Sequence, residues 1–182
     1  MPIRIVITGG PGSGKTKFVE RLKLLPEIEH FLFFEELARL LLMENPGYRR
    51  NLSEFHREIY SRQIAREQAA EGKSFVTDRG TVDAFAFHPE TANDVGTTIE
   101  REYARYDAVI QLGSAAALGE PHYVRDAERH ETISEALFIE KAIIGVWQKH
   151  PGYQFVEAVN DFEIKYRNFL NIIRTLIVSN NN

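Results

Sequence analysis

The stretch Gly9-Gly10-Pro11-Gly12-Ser13-Gly14-Lys15-Thr16 constrains this chain more than any other. It matches G-x-x-x-x-G-K-[ST] in full and follows Ile3 to Thr8, an apolar run that reads as a strand covered on both faces. A helix is predicted from about Lys15 to Leu25, stopped by Pro26. Between strand and helix, glycines permit backbone conformations closed to other residues, so successive N–H groups can turn inward around phosphate oxygens. The helix N-terminus adds partial positive charge, Lys15 can reach the β- and γ-phosphates, and Thr16 can offer its hydroxyl to Mg²⁺. The motif predicts a triphosphate site.

Around it, short β-branched or aromatic runs alternate with longer helical patterns, the signature of βαβ units. Phe31–Phe34 reads as the second strand, followed by a short helix through Leu42 that ends before Asn45-Pro46-Gly47. Asn51 with Glu54 predicts a capping box opening a long helix that reaches Gly72. Ser74–Thr77 and Asp107–Leu112 read as the third and fourth strands, with segments 89–97 and 113–131 as looser stretches. Thr132 with Glu135 caps a helix from Ile133 to about Lys149, and Tyr153–Val159 is the fifth strand. Asn160 with Glu163 opens the last helix, whose apolar positions are Phe162, Tyr166, Phe169, Ile173 and Leu176. The expected fold is an α/β doubly wound sandwich, with ligands at the carboxyl ends of the strands. At 182 residues, one domain over 1–182 is expected.

Composition narrows the function. The balance of 22 Lys and Arg against 26 Asp and Glu gives a net charge of −4, which disfavours binding a nucleic-acid polymer. Cysteine is absent, excluding disulfides, thiolate catalysis and Cys-ligated zinc. The N-terminal run is too short and wrongly flanked for a signal peptide, and no stretch has the length of a membrane helix. A cytoplasmic protein is expected. The guanine-reading Asn-Lys-x-Asp is missing, as is an LSGGQ-like segment, which disfavours a switch GTPase and a transporter ATPase. No histidine pair has metal-binding spacing, and Trp147 reads as core.

Phosphoryl chemistry also needs acids and arginines near the strand ends. Asp78, at the tip of the third strand, is placed to order Mg²⁺ or accept a proton, with capping of the next helix as its competing role. Arg79 can grip a phosphoryl group or pair with Asp78, and Asp83 follows on a short helix or turn. Glu36, after the second strand, can orient or deprotonate a hydroxyl, or simply favour a helix start. On the long helix, Leu52, Phe55, Ile59, Gln63, Arg66 and Ala70 fall on one stripe, so Gln63 and Arg66 interrupt the inward face and become substrate candidates. The loop at about 113–131, carrying His122, Arg125, Asp126, Glu128, Arg129, His130 and Glu131, suits a lid that brings an arginine to the transferring group.

These pieces together resemble the small single-domain P-loop NTPases known as predicted ATPases or predicted nucleotide kinases, which carry an "AAA domain" label. The residues that carry the resemblance are Ile7 to Thr16, then Glu36-Leu37-Ala38-Arg39, then Asp78-Arg79-Gly80 with Asp83, and Arg125. Asp78-Arg79 also looks like the Asp-Arg motif of thymidylate kinases and the Glu-Arg motif of deoxynucleoside kinases. The resemblance implies a three-layer P-loop fold with a parallel sheet of order 2-3-1-4-5, an ATP·Mg²⁺ donor held by Gly9 to Thr16 with Thr16 and Asp78 at the metal, and an acceptor pocket beside the second and third strands. Lys15, Asp78, Arg79, Glu36 and Arg125 would then be catalytic, with Arg39, Gln63, Arg66, Asp83 and Arg129 as substrate candidates. Glu35 stands where such proteins often carry proline, so Glu35, Glu36 and Asp78 all stay open as the base. The expected reaction is phosphoryl transfer from ATP to a small-molecule acceptor such as a nucleoside or nucleotide. A slow NTPase acting as a regulatory or partner-binding module is the alternative.

Overall fold

Alternation of apolar side chains along the central strands dictates a sheet that must be covered twice. Ile5, Ile7, Val76, Ile110 and Leu112 pack to one side, and Val6, Phe75 and Val109 to the other, all at or below 3% exposure. The computed structural model describes residues 1–123 and 131–181. In it β1 (Arg4–Thr8), β2 (Leu32–Phe34), β3 (Phe75–Asp78), β4 (Ala108–Leu112) and β5 (Tyr153–Val156) form an all-parallel sheet in the order β2-β3-β1-β4-β5. This is the kinase-like P-loop order that the resemblance implied.

One face is closed by α1 (Lys15–Leu22) and α8 (Phe162–Asn181), through Phe18, Leu22, Tyr166, Phe169 and Ile173. The other is closed by α3 (Leu52–Ala69), α4 (Asp83–Phe87) and α7 (Ile133–Trp147), with Trp147 fully buried as a core residue. Between β2 and α3 lies α2 (Leu37–Glu44). The stretch 89–97 is not loose: it holds α5 (Thr91–Asp94), pinned by Ser53 Oγ donating to Asp94 at 2.9 Å. A further helix, α6 (Ile99–Tyr103), is capped by Thr98. Its five residues are too few for helical periodicity to declare it.

The cap assignments separate cleanly. Thr132 and Glu135 make a complete capping box. Asn51 accepts from the Glu54 N–H, but its side chain bonds the Glu54 carboxylate, so only half the box forms. The last helix is capped by Asp161, which accepts from the N–H groups of Glu163 and Ile164, and not by Asn160. Glu163 pairs instead with Arg21 through both its oxygens. The inward stripe of α3 is also rotated from its expected position. Leu52 is 54% exposed, whereas His56 and Glu67 are buried, because the helix meets β3 through a polar layer as well as an apolar one.

Register positions the functional residues. Ile7 pairs with Asp78 and Thr8 with Gln111, so the loop leaving β1 emerges beside the acid that ends β3. Among the described residues no helix is long and apolar enough to cross a membrane.

Candidate functional site

The glycine loop has a backbone that only this composition accepts. At Gly9, φ is 149° and a Cβ would lie 2.5 Å from the Leu112 carbonyl oxygen; at Gly12, φ is 73° and a Cβ would lie 2.7 Å from the Tyr123 ring. Gly14 caps α1 in the left-handed conformation, no side chain caps that helix among the described residues, and its first turn carries no acid. Its amide donors and dipole thus face the cleft with no anion on the helix's own first turn. The Lys15 ammonium folds back onto the Gly9 carbonyl at 3.0 Å. Burial pushes its pKa down and Arg79 adds to this, against the pull of Asp78, Glu36 and Asp83. A phosphate arriving here would relieve both effects.

Opposite the loop, acids and an arginine converge from β2 and β3. Asp78 is 7% exposed, and its Oδ1 is buried with no hydrogen-bond partner among the described residues. Burial holds its carboxyl above the usual range, with Lys15 opposing. Arg79 turns the chain with φ 70°, a conformation that is costly for a side-chain-bearing residue. Its Nε donates to Glu36 Oε1 at 2.6 Å, its Nη1 lies 3.3 Å from Asp83 Oδ1, and its guanidinium carbon sits 4.9 Å from the centre of the Phe87 ring. Burial works against the Glu36 anion, but Arg79, joined by Lys15 and Arg39, outweighs it and holds the carboxyl at about 2. Glu35 points elsewhere. Its carboxylate meets Lys23 at 3.4 Å and its carbonyl accepts from Arg66 at 2.6 Å, so Glu36 is the acid of this pair that reaches Arg79.

Asp83 has a different place from the one expected of a substrate contact. It is 2% exposed, and its carboxylate accepts from Thr8 Oγ1, from the Gly80 N–H at 2.8 Å and from Trp147 Nε1 at 3.1 Å. These bonds tie the end of β1, the turn after β3 and α7 together, so Asp83 holds Arg79 rather than a ligand. Gln63 and Arg66 also lie beneath the site rather than in it. Gln63 donates to Thr77 Oγ1 at 3.0 Å and to Glu67, and its carbonyl oxygen accepts from Arg66. Burial lowers Arg66 to about 10. Sequence patterning missed the rest of this layer: Glu67, Arg105 at 2.6 Å from it, and Tyr106 at 2.7 Å.

The open volume matches this division. A cleft of about 620 Å³ is lined by Gly10 to Lys17, Glu36, Arg39, Arg79, His122 and Phe162. A hollow of about 240 Å³ adjoins it between α1 and α2, and shares Thr16, Glu20, Glu36 and Arg39 with it while adding Asp78. A larger hollow of about 760 Å³, around Met1, Arg4, Lys73 and Arg105, contains no residue of the loop. It lies at the amino ends of the strands, away from where ligands bind such sheets. Arg125 and Arg129 fall outside the described residues. Among the described residues no cluster of three or more His, Asp or Glu forms a ready-made metal cage. A cation shared with phosphates needs only one or two protein ligands, and the exposed Thr16 hydroxyl and the unpartnered Asp78 oxygen fit that need.

Comparison with known proteins agrees with the fold. The family model described as "AAA domain" matches residues 4–165. A search of curated proteins found no match. The fold is similar to that of deoxyadenosine kinase from M. mycoides with bound dATP, with a TM-score of 0.63 and 14% identity, over 94% of this chain and 99% of that one. A second structure of that kinase, with products dCMP and a flexible dCDP bound, gives a TM-score of 0.60 and 15% identity, over 95% and 100% of the two chains. At such identity the likeness shows a shared kinase-like P-loop fold.

Proposed function

The chain belongs to the AAA domain family, and on that footing we propose that it is a phosphotransferase moving a phosphoryl group from ATP to a small hydroxyl- or phosphate-bearing acceptor, a nucleoside or nucleotide, with residues 1–182 acting as one domain. The observation that carries this reading is that Asp78 lines the same hollow as Thr16 and Glu36, with one of its carboxylate oxygens buried and without a partner among the described residues, while Glu36 pairs with Arg79. A protein that only bound nucleotide would need the loop but not this second set of charges. The deoxyadenosine kinase structures add support through a fold that hosts such transfer.

In this reading, the N–H groups of Gly12, Gly14, Lys15 and Thr16 and the Lys15 ammonium hold the donor phosphates. Thr16 and Asp78 would hold Mg²⁺, which when bound neutralises charge on the phosphate oxygens. Arg79, protonated at any working pH because Glu36 and Asp83 oppose its burial, presents its guanidinium to the phosphoryl oxygens. Glu36, ionised for the same reason in reverse, orients the acceptor hydroxyl and takes its proton as the acceptor oxygen–phosphorus bond forms and the bond from that phosphorus to the bridging oxygen breaks, with ADP leaving. Arg39 lines both the cleft and the hollow and meets the acceptor side. Most of the rate enhancement comes from positioning and fixed charge.

The deciding experiment incubates the protein with Mg·ATP and a panel of nucleosides, nucleotides and sugars and follows ADP. Strong stimulation by one compound supports the reading. Slow ADP release that no small molecule changes, but a protein partner does, overturns it in favour of a regulatory NTPase module. No ADP formation under any condition overturns both.

A further inference from the structure

Behind the glycine loop, on the side away from the cleft, sits a cation that simple packing would not place there. Lys165 is 6% exposed and lies in the first turn of α8, where both burial and the helix dipole disfavour a positive charge. Its position, four residues before Phe169 and eight before Ile173, belongs to the apolar stripe of that helix. A leucine or methionine would suit those neighbours better. Instead the ammonium donates to the Ser13 carbonyl at 2.8 Å and to the Gly113 carbonyl at 2.5 Å, with the Phe18 ring centre 5.7 Å away. Burial lowers its pKa to about 8; Glu140 opposes that drop and Lys15 adds to it.

A second side chain does the same one turn of loop earlier. Ser114 is fully buried, and its hydroxyl donates to the Pro11 carbonyl. Its own N–H is held by the buried Glu140 carboxylate, and the next amide, of Ala115, donates to the Gly12 carbonyl at 3.1 Å. Three successive loop carbonyls are therefore drawn to the back of the loop. The peptides involved are trans, so a carbonyl pointing backward sends the N–H of the following residue the opposite way. Fixing Pro11 and Ser13 from behind aims the Gly12 and Gly14 N–H groups toward the cleft.

Resting on the reading of this loop as a phosphate cradle, we propose that Lys165 and Ser114 are positioning residues that pre-set the loop's amide donors for the donor nucleotide. Neither is part of the loop motif, and neither touches the open cleft. Lys165 adds a second effect, since its charge sits behind the loop and favours an anion in front of it. The root of the 113–131 segment shares the same anchor through Gly113 and Ser114, so the cradle and that root move as one unit.

The test is ADP binding by calorimetry at pH 7, on the full chain, with thermal unfolding run with and without ADP. Lys165→Met is expected to weaken ADP binding by about tenfold, the scale of a lost charge-assisted hydrogen bond. Its unfolding temperature without ADP should hold or rise, because a buried charge has been replaced by an apolar side chain of similar volume. A purely structural lysine would show the reverse pattern, a less stable protein with unchanged affinity once folded. Lys165→Gln keeps a donor without the charge and should fall between, and Ser114→Ala should weaken binding by about threefold or more. Tyr166→Phe, on the same helix but facing Phe18, is the control and should bind as the wild type does. If Lys165→Met does not fold, Lys165→Gln and Ser114→Ala decide by the same criterion. Variants that bind ADP as tightly as the wild type, or a control that weakens as much as they do, overturn the inference alone. A wild type that binds no ADP overturns the functional reading and this inference with it.

Discussion

The two sides of the cleft are built from different material. On the proposed donor side, glycines set the directions of the backbone amides and the Pro11, Gly12 and Ser13 carbonyls are tied off from behind, so the Gly12 and Gly14 N–H groups have no partner among the described residues. On the acceptor side, the binding groups are side chains that already satisfy one another: Glu36 with Arg79, and Arg79 with Asp83. A cradle made of backbone has one shape and waits for its ligand. On the proposed reading, a set of paired charges must exchange partners when a phosphoryl group arrives.

Substitutions can pull this contrast apart. Lys15→Ala should reduce ADP formation by about a thousandfold while the circular dichroism spectrum and unfolding temperature stay near the wild type, since the loop's shape depends on glycines and not on that ammonium. Loss of fold together with activity would show that the donor side is not independently rigid. Asp83→Ala strands the Gly80 and Trp147 donors and leaves Arg79 with one partner fewer, at an expected cost of about 3 kcal/mol in chemical denaturation. A cost below about 1 kcal/mol would mean that the acceptor side does not depend on this anchor.

Smaller effects test the electrostatics and the caps. The Glu36 carboxyl titrates at about 2 in the folded chain against 4.5 for the free group, so its pairing stabilises the fold fully above pH 4.5 and the contribution fades as pH falls from there toward 2. With a third of the side chain exposed, the contribution is about 1 kcal/mol, and Glu36→Gln should lower stability by about that amount at pH 7 to 8 and flatten the profile across the acid window, where the wild type loses the same contribution. An unchanged acid limb would show that the pair does not persist in solution. Asp161→Ala should cost about 0.5 to 1 kcal/mol and Asn160→Ala close to nothing, because among the described residues it is Asp161 that caps the helix carrying Lys165.

How much could be read in advance follows the same division. The loop motif was legible because its requirement is local: positive φ and close approach of backbone demand glycine at fixed spacing, whatever surrounds them. The two covered faces and the Thr132 cap were legible for related reasons, through apolar runs and short-range hydrogen bonding, whereas the strand order followed only from the family resemblance. Asp78, Glu36 and Arg79 could be named as candidates, but their pairing could not, since Glu36 and Arg79 are 43 residues apart and meet only through the β2-β3 register. Asp83 shows the same limit: its neighbours Thr8 and Trp147 come from opposite ends of the chain, and they turn an apparent ligand group into an internal strut. Lys165, Glu140 and Glu67 did leave a trace, as charges on otherwise buried helix stripes, yet a stripe says only that a residue faces inward. By itself the amino-acid sequence determined a parallel α/β sheet with a phosphate-binding loop, because those features rest on backbone sterics and side-chain periodicity within short windows. Only the tertiary structure decided which charges meet and which stay unpartnered, because Coulomb and hydrogen-bond energies depend on distances of a few ångströms that residues far apart in the chain acquire by folding.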